Sequence, residues 1–336
     1  MHRTATALTI AAAIALAACG EKKVATPEVS APSVTESGAT AGAPTTTTAS
    51  TAATAPVSYA DAETSFRHGD YAEAVGKFES YTRGNPDNAW GQYMLGLSAW
   101  KSGQHERALQ AFDAALAIDP AHRKSLLNSA RVLLETGQPE TALERVQKSL
   151  SIEPMSSEGL RLLGRAQADL GHFNDAVDAY QRALAIDDTD VWTMNNLGYL
   201  YIQQGRADAA LPPLARAVEI RGNAPVFQNN LGSALEATGH LSAARTAYES
   251  ALAADSMYEK ASVGLARVTA RVDGTDTVSV DLSELSKQFQ GEIEGWRTAV
   301  VPADSSVSDS VGTDSVPADS VTTDSSQAMV RDSVSQ

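Results

Sequence analysis

Six glycines, Gly69, Gly103, Gly137, Gly171, Gly205 and Gly239, stand 34 residues apart, and Ala74, Ala108, Ala142, Ala176, Ala210 and Ala244 keep the same step. Glycine fills about 7% of an average chain, so five further glycines on a preset comb arise by chance roughly once in a million. A period of this length means one supersecondary unit copied in tandem, each copy burying its apolar face on its neighbour. Nothing else in the 336 residues constrains the fold as tightly.

Each period reads as two helices. In residues 89–122, Trp90, Tyr93, Leu97 and Trp100 fall at helical spacing, and so do Ala108, Leu109, Phe112, Ala115 and Leu116. Gly103 lies between the two runs, where a helix end favours a residue that accepts positive φ. Pro120 follows the second run and helps stop it. Gln110 and Asp113 are left for the solvent side. The pattern predicts an all-α chain.

The unit resembles the tetratricopeptide repeat, a 34-residue helix-turn-helix. Its first small position is Ala62, Gly96, Ala130, Gly164, Gly198 and Gly232 in this chain. Its second-helix aromatic is Phe78, Phe112, Tyr180 and Tyr248, with Val146 and Leu214 in two units. The later small position holds Ala115, Ala183, Ala217 and Ala251, but Tyr81 and Ser149 elsewhere. The terminal proline is Pro86, Pro120 and Pro154, then Asp188, Gly222 and Ser256 depart from the pattern. The resemblance covers 55–258 and implies a right-handed solenoid of six units. A solenoid needs a cap on its last face. Residues 259–272 read as a capping helix, and 273–298 as a connector with an amphipathic helix at 281–298. The stripe of that helix is Leu282, Leu285, Phe289, Ile293 and Trp296, expected to dock on the solenoid end, or else to engage a partner or the groove.

The flanks differ in texture. Residues 1–18 begin with one basic side chain, Arg3, and carry about eleven near-apolar residues, too few for a bilayer span of roughly 20. They read as a secretory signal peptide. Leu16-Ala17-Ala18-Cys19 resembles a bacterial lipobox, which implies cleavage before Cys19, the one cysteine of the chain, and its acylation. A plain secreted protein is the alternative. By the same resemblance Gly20, standing where an Asp would signal retention, favours the outer membrane, facing the periplasm. Residues 19–54 are an Ala/Thr/Pro linker without the large apolar residues a core needs, and glycosylation of its threonines stays open. The tail, 299–336, is Ser, Asp, Val and Thr, with Asp304, Asp309, Asp314, Asp319 and Asp324 at a five-residue step that suits neither helix nor strand. It is expected to be disordered.

Function classes narrow accordingly. The net charge is −15, and the acidic tail argues against nucleic acid, which needs a basic surface. The histidines, His2, His68, His105, His122, His172 and His240, show no metal-ligand spacing. No phosphate loop or Gly-x-Ser-x-Gly elbow occurs. The sequence therefore points to no enzyme, cofactor, metal or small-molecule substrate. In proteins similar to this one the first helices line a groove that grips peptides. Carried onto this chain, the groove comprises Trp90, Tyr93, Leu97, Trp100, Lys101, Lys124, Asn128, Arg131, Arg161, Arg165, Asn195, Tyr199 and Asn229, with Leu127, Trp192, Lys260 and Arg267 beside them. Asn196 and Asn230 read as structural choices. The expected roles are an envelope adaptor or scaffold binding other proteins, or a fixed subunit of a larger envelope assembly. The basic strip is also expected to attract the acidic tail.

Overall fold

The computed structural model describes residues 57–271 and 279–300. The expected signal peptide, Cys19, the linker to residue 54 and the tail beyond 300 lie outside the described residues. All described residues belong to one compact unit.

Twelve helices form six pairs: α1 (Tyr59–Arg67) with α2 (Tyr71–Gly84), α3 (Ala89–Lys101) with α4 (His105–Ile118), α5 (Arg123–Glu135) with α6 (Pro139–Ile152), α7 (Ser157–Asp169) with α8 (Phe173–Ile186), α9 (Val191–Gln203) with α10 (Ala207–Ile220), and α11 (Pro225–Ala237) with α12 (Leu241–Ala254). A cap helix, α13 (Glu259–Thr269), and a long helix, α14 (Leu282–Val300), follow. From α1 to α13 each helix packs on the next in sequence, and the first helices also touch from one pair to the next. The described fold is therefore an all-helical solenoid, as the period predicts.

The comb glycines close every pair. All six have positive φ, between 70° and 86°. At Gly103 the amide donates to the Trp100 carbonyl at 2.9 Å, and the next amide, Gln104, donates back to Ala99 at 2.8 Å. These two bonds satisfy carbonyls the helix end would otherwise leave open, and they need a left-handed residue between them. Beyond each turn the paired helices touch closely. The alanines of the second comb are all 0% exposed. A Cβ added at Gly164 would lie 2.5 Å from the Tyr180 ring, and one at Gly198 2.4 Å from Leu214. The small position of the first helix thus exists to seat the bulky residue of the second. Where Tyr81 replaces the later small residue, Gly91 opposite makes the room, since a Cβ there would meet the Tyr81 ring at 2.9 Å.

α14 corrects an expectation. It docks neither on the solenoid end nor in the groove, but across α8 and α10, the second helices of the fourth and fifth repeats. Phe289 and Ile293 are 1% and 2% exposed there. The reason lies in α10. Its Pro212 and Ala215 are buried, whereas Gln110 and Asp113 of α4, Glu144 and Gln147 of α6, and Thr246 and Glu249 of α12 hold the same repeat positions and are not buried. Two polar residues have been exchanged for apolar ones on the helix that α14 covers. Polar contacts fix both ends: Ser286 Oγ donates to Glu219, while Arg297 donates to the Ala185 carbonyl at 3.2 Å and pairs with Asp188 at 3.1 Å. Asp188 stands where three earlier repeats have proline. No helix among the described residues is long and apolar enough to cross a membrane.

Candidate functional site

The first helices of successive repeats touch one another and line two concavities. At the N-terminal end of the expected groove strip Trp90 is 41% exposed, its Nε1 donating to the Tyr59 hydroxyl at 2.5 Å. The Lys124 ammonium lies 4.9 Å over the Trp90 ring and His122 packs edge-on to it. Tyr93 is buried beneath, its hydroxyl accepting from Asn128 at 3.1 Å, and burial pushes its phenol up to about 12. Lys101 lies 5.4 Å over Trp100.

The middle of the strip opens into a pocket of 430 Å³ between α3, α5, α7, α9 and the start of α8. Five residues of the expected groove meet there: Trp100, Arg131, Arg161, Arg165 and Tyr199. Trp192 and Asn196 join them, as do Glu135, Asp169, Phe173 and Gln203. Trp192, Asn196, Tyr199 and Gln203 are steps of four, three and four along α9, one helical face. The expected groove residue Asn195 is one position, and so about 100° of helix, off that face. Asn195 is 1% exposed and accepts from Asn230 Nδ2 at 2.9 Å, while Asn196 takes the groove position. Tyr93, Asn128 and Asn229 are likewise buried, at 6–7% exposure. Leu97 is half-buried on α3.

Carboxylates invisible to a strip-wise reading offset much of the positive charge. Arg131 pairs with Glu158 and donates to Asn128 Oδ1 at 2.5 Å, yet its Nε is buried without a partner. Burial depresses the Arg131 guanidinium, and Glu158 opposes that. Arg161 pairs at 2.9 Å with Asp190, which also caps α9 by accepting from the Trp192 and Thr193 amides. Glu135 accepts from Trp100 Nε1 at 2.7 Å. Arg165 differs. Its nearest carboxylate, Asp169, is 4.0 Å away, beyond hydrogen-bond reach. Burial raises the Asp169 carboxyl and Arg165 lowers it less. With the side chains of Trp192, Asn196, Tyr199 and Gln203, Arg165 forms a donor-rich patch whose members make no side-chain hydrogen bond among the described residues. Among the described residues no group of three or more His, Cys, Asp or Glu could hold a metal ion.

A second concavity of 630 Å³ lies under the cap, walled by Tyr199, Asn229, Asn230, Tyr258, Lys260 and Arg267 among others. Two of its lining residues, Tyr248 and Arg267, belong to a charged lock behind it. Glu236, 8% exposed on α11, accepts from Arg267 twice at 2.6 Å, from Arg271 at 2.9 Å and from the Tyr248 hydroxyl at 3.1 Å. Burial alone would raise the Glu236 carboxyl. The bonds and charges of Arg267, Tyr248 and Arg271 outweigh it and hold the group below the ordinary glutamate value. The lock is therefore intact at neutral pH and weakens as pH falls through and below about 4.3, the free glutamate value. Both arginine heads are about half exposed, so losing the carboxylate should cost only ~1–2 kcal/mol. Hydrogen exchange in α13, compared between pH 7 and about pH 3, well below the free glutamate value, should show this acid step in wild type and not in Glu236→Gln. Equal acid sensitivity of the two proteins would refute the assignment.

Sequence models of the tetratricopeptide repeat match residues 59–123, 99–166, 191–224 and 227–260, and a TPR repeat model matches 164–205. They tile the six helix pairs, and the chain belongs to the tetratricopeptide repeat proteins. No curated protein matches it. Among solved structures, a tetratricopeptide repeat protein from Parabacteroides merdae is 15% identical with a TM-score of 0.54, over 62% of this chain and 82% of that one. A chain of the APC/C hetero-tetramer Cut9–Hcn1 is 19% identical with a TM-score of 0.56, over 62% of this chain and 41% of that one. A thermophilic TPR protein of Thermus thermophilus is 22% identical with a TM-score of 0.49, over 55% of this chain and 100% of that one. At these identities the likeness concerns the fold alone.

Proposed function

We propose that this protein is a lipid-anchored adaptor that holds extended segments of other cell-envelope proteins in its concave groove, with the middle pocket as the principal subsite. The observation that carries the reading is the patch of donors Arg165, Trp192, Asn196, Tyr199 and Gln203, set among aromatic walls in a 430 Å³ cavity. A guanidinium, amides, an indole N–H and a phenol ask for acceptors, which a carboxylate and peptide carbonyls supply. Aromatic walls give contact area to an apolar neighbour at low entropy cost. The fitting ligand is a peptide that places an acidic residue close to an apolar one. Panning a random peptide library on the purified protein should enrich that composition. Trp192→Ala combined with Arg165→Ala should weaken the selected peptides at least ~10-fold, the loss of a buried aromatic anchor and a charged hydrogen bond together. Undiminished binding by the double variant would overturn the subsite.

The anchor rests on Leu16-Ala17-Ala18-Cys19, and the proposed site is the outer membrane facing the periplasm. Two or three acyl chains hold firmly at ~0.8 kcal/mol per buried methylene. Cys19→Ser should move the protein from the membrane to the soluble fraction, or leave it as uncleaved precursor. A Ser variant that is processed and sediments with membranes like wild type would rule the anchor out.

A further inference from the structure

The chain carries, after its last described helix, a segment that matches the chemistry of its own pocket. Residues 301–325 read VPADS, SVSDS, VGTDS, VPADS and VTTDS, five tandem pentads that each end in Asp-Ser. Four of the five begin with valine, three residues before the aspartate. A chain bound in polyproline II geometry has three residues per turn and ~3.1 Å rise per residue, so Val and Asp would share one side, about 9 Å apart. That is the pairing, one apolar group and one carboxylate, that the Trp192–Arg165 patch asks for.

The docking of α14 sets where this segment starts. Arg297, in the last turn, is tied to Ala185 and Asp188 at the α8–α9 turn. Two residues further on, Asp190 pairs with Arg161, a wall of the pocket. The remaining residues, 301–336, can extend to on the order of 100 Å, ample to pass from that turn into the groove. They hold six aspartates against one basic residue, Arg331. Arg131 and Arg161 are already paired with Glu158 and Asp190, so the charge available to them is that of Arg165, helped by the neutral donors on α9. A tethered ligand meets its site at an effective concentration around the millimolar range, enough for a weak contact to be populated.

We propose that the pentads of the tail occupy the middle pocket in turn, one aspartate at a time on Arg165 and the α9 donors, so that the protein is its own competitor and only clients that outbid the tail are held. This rests on the groove reading above. Full-length protein with Cys19→Ser and Ala328→Cys carries a single thiol for a spin label, and its tryptophans, Trp90, Trp100, Trp192 and Trp296, give four indole signals. At low salt the label should broaden Trp100 and Trp192. Asn at Asp304, Asp309, Asp314, Asp319 and Asp324, or high salt, should sharpen both again, because exposed charges are screened within ~8–10 Å. Broadening of Trp296, close to where the tail begins, should stay as it was. Adding a panned peptide should also sharpen Trp192. If Trp100 and Trp192 are as sharp in the wild-type tail as in the five-Asn tail, self-occupancy is overturned. In that event a panned peptide that still shifts Trp192 leaves the groove reading standing. If it shifts nothing, both readings fall together.

Discussion

Phe289→Ala should release α14 from the solenoid. Phe289 is 1% exposed and meets Trp296 edge-on at 5.6 Å, within a stripe that continues through Ile293. Truncating a buried Phe costs about 3–5 kcal/mol, which shifts a docking equilibrium by roughly two to four orders of magnitude. The polar contacts of α14 do not replace it: Arg297 and its partner Asp188 are both partly solvated, and water and salt screen an exposed ion pair. The loss should stay local, since α14 lies outside the stacking of repeat on repeat. Hydrogen exchange should therefore collapse in 282–300 and change little in α3–α7. Limited proteolysis should cut the helix early, while the released face, with Pro212 and Ala215, should bind a hydrophobic dye. Wild-type protection of 282–300 in this variant would show that the stripe is not what holds the helix.

The same helix shows what the sequence made legible. The 34-residue comb fixes the pairs, the turns and the small-against-large contacts, because each is a local demand met six times. Gly103 is needed for its φ of 78°, and Gly164 for the Tyr180 ring, whatever the rest of the chain does. The amphipathic stripe of α14 was also legible, but its address was not. That address is written in departures from the repeat, Pro212, Ala215 and Asp188, each of which alone looks like drift. They become a surface only when α8 and α10 stand side by side. The groove divides in the same way. The Arg, Trp and Tyr positions of the first helices follow from the resemblance to the repeat family, whereas the pairing of Arg131 with Glu158 and of Arg161 with Asp190 joins residues 27 and 29 apart on neighbouring repeats. A strip that reads as basic along one helix is largely neutralised by the next, which leaves Arg165 as the cation with the weakest partner in the pocket. The one-residue slip between Asn195 and Asn196 arose because two adjacent asparagines give no periodic cue to tell them apart.

Ala176→Leu should give the largest loss of global stability. Ala176 is 0% exposed in the core shared by α8, α9, α10 and the following repeats, as are its counterparts in the other five units. Its helix faces α7 at the point where Gly164 already has no room for a Cβ, the Tyr180 ring standing 2.5 Å from where it would be. Three further carbons have no free space to enter, because Ala176 is fully buried in that core. Overpacking of this kind costs about 1–3 kcal/mol. In a chain this size each kcal/mol moves the melting temperature by ~2–4 °C, so a fall of roughly 2–12 °C is expected. Position matters as much as size. Repeats stabilise their immediate neighbours, so damage in the fourth of six units removes support from both sides and should broaden the transition. Ala244→Leu, in the sixth unit, changes the same contact with only the cap beyond it, and should lower the midpoint less while fraying α11–α13 first. The comparison separates a packing effect from the mere burden of a larger side chain. Equal melts for the two variants would mean that the units unfold as one block, and an Ala176→Leu melt like wild type would mean that α7 and α8 are not in the contact described.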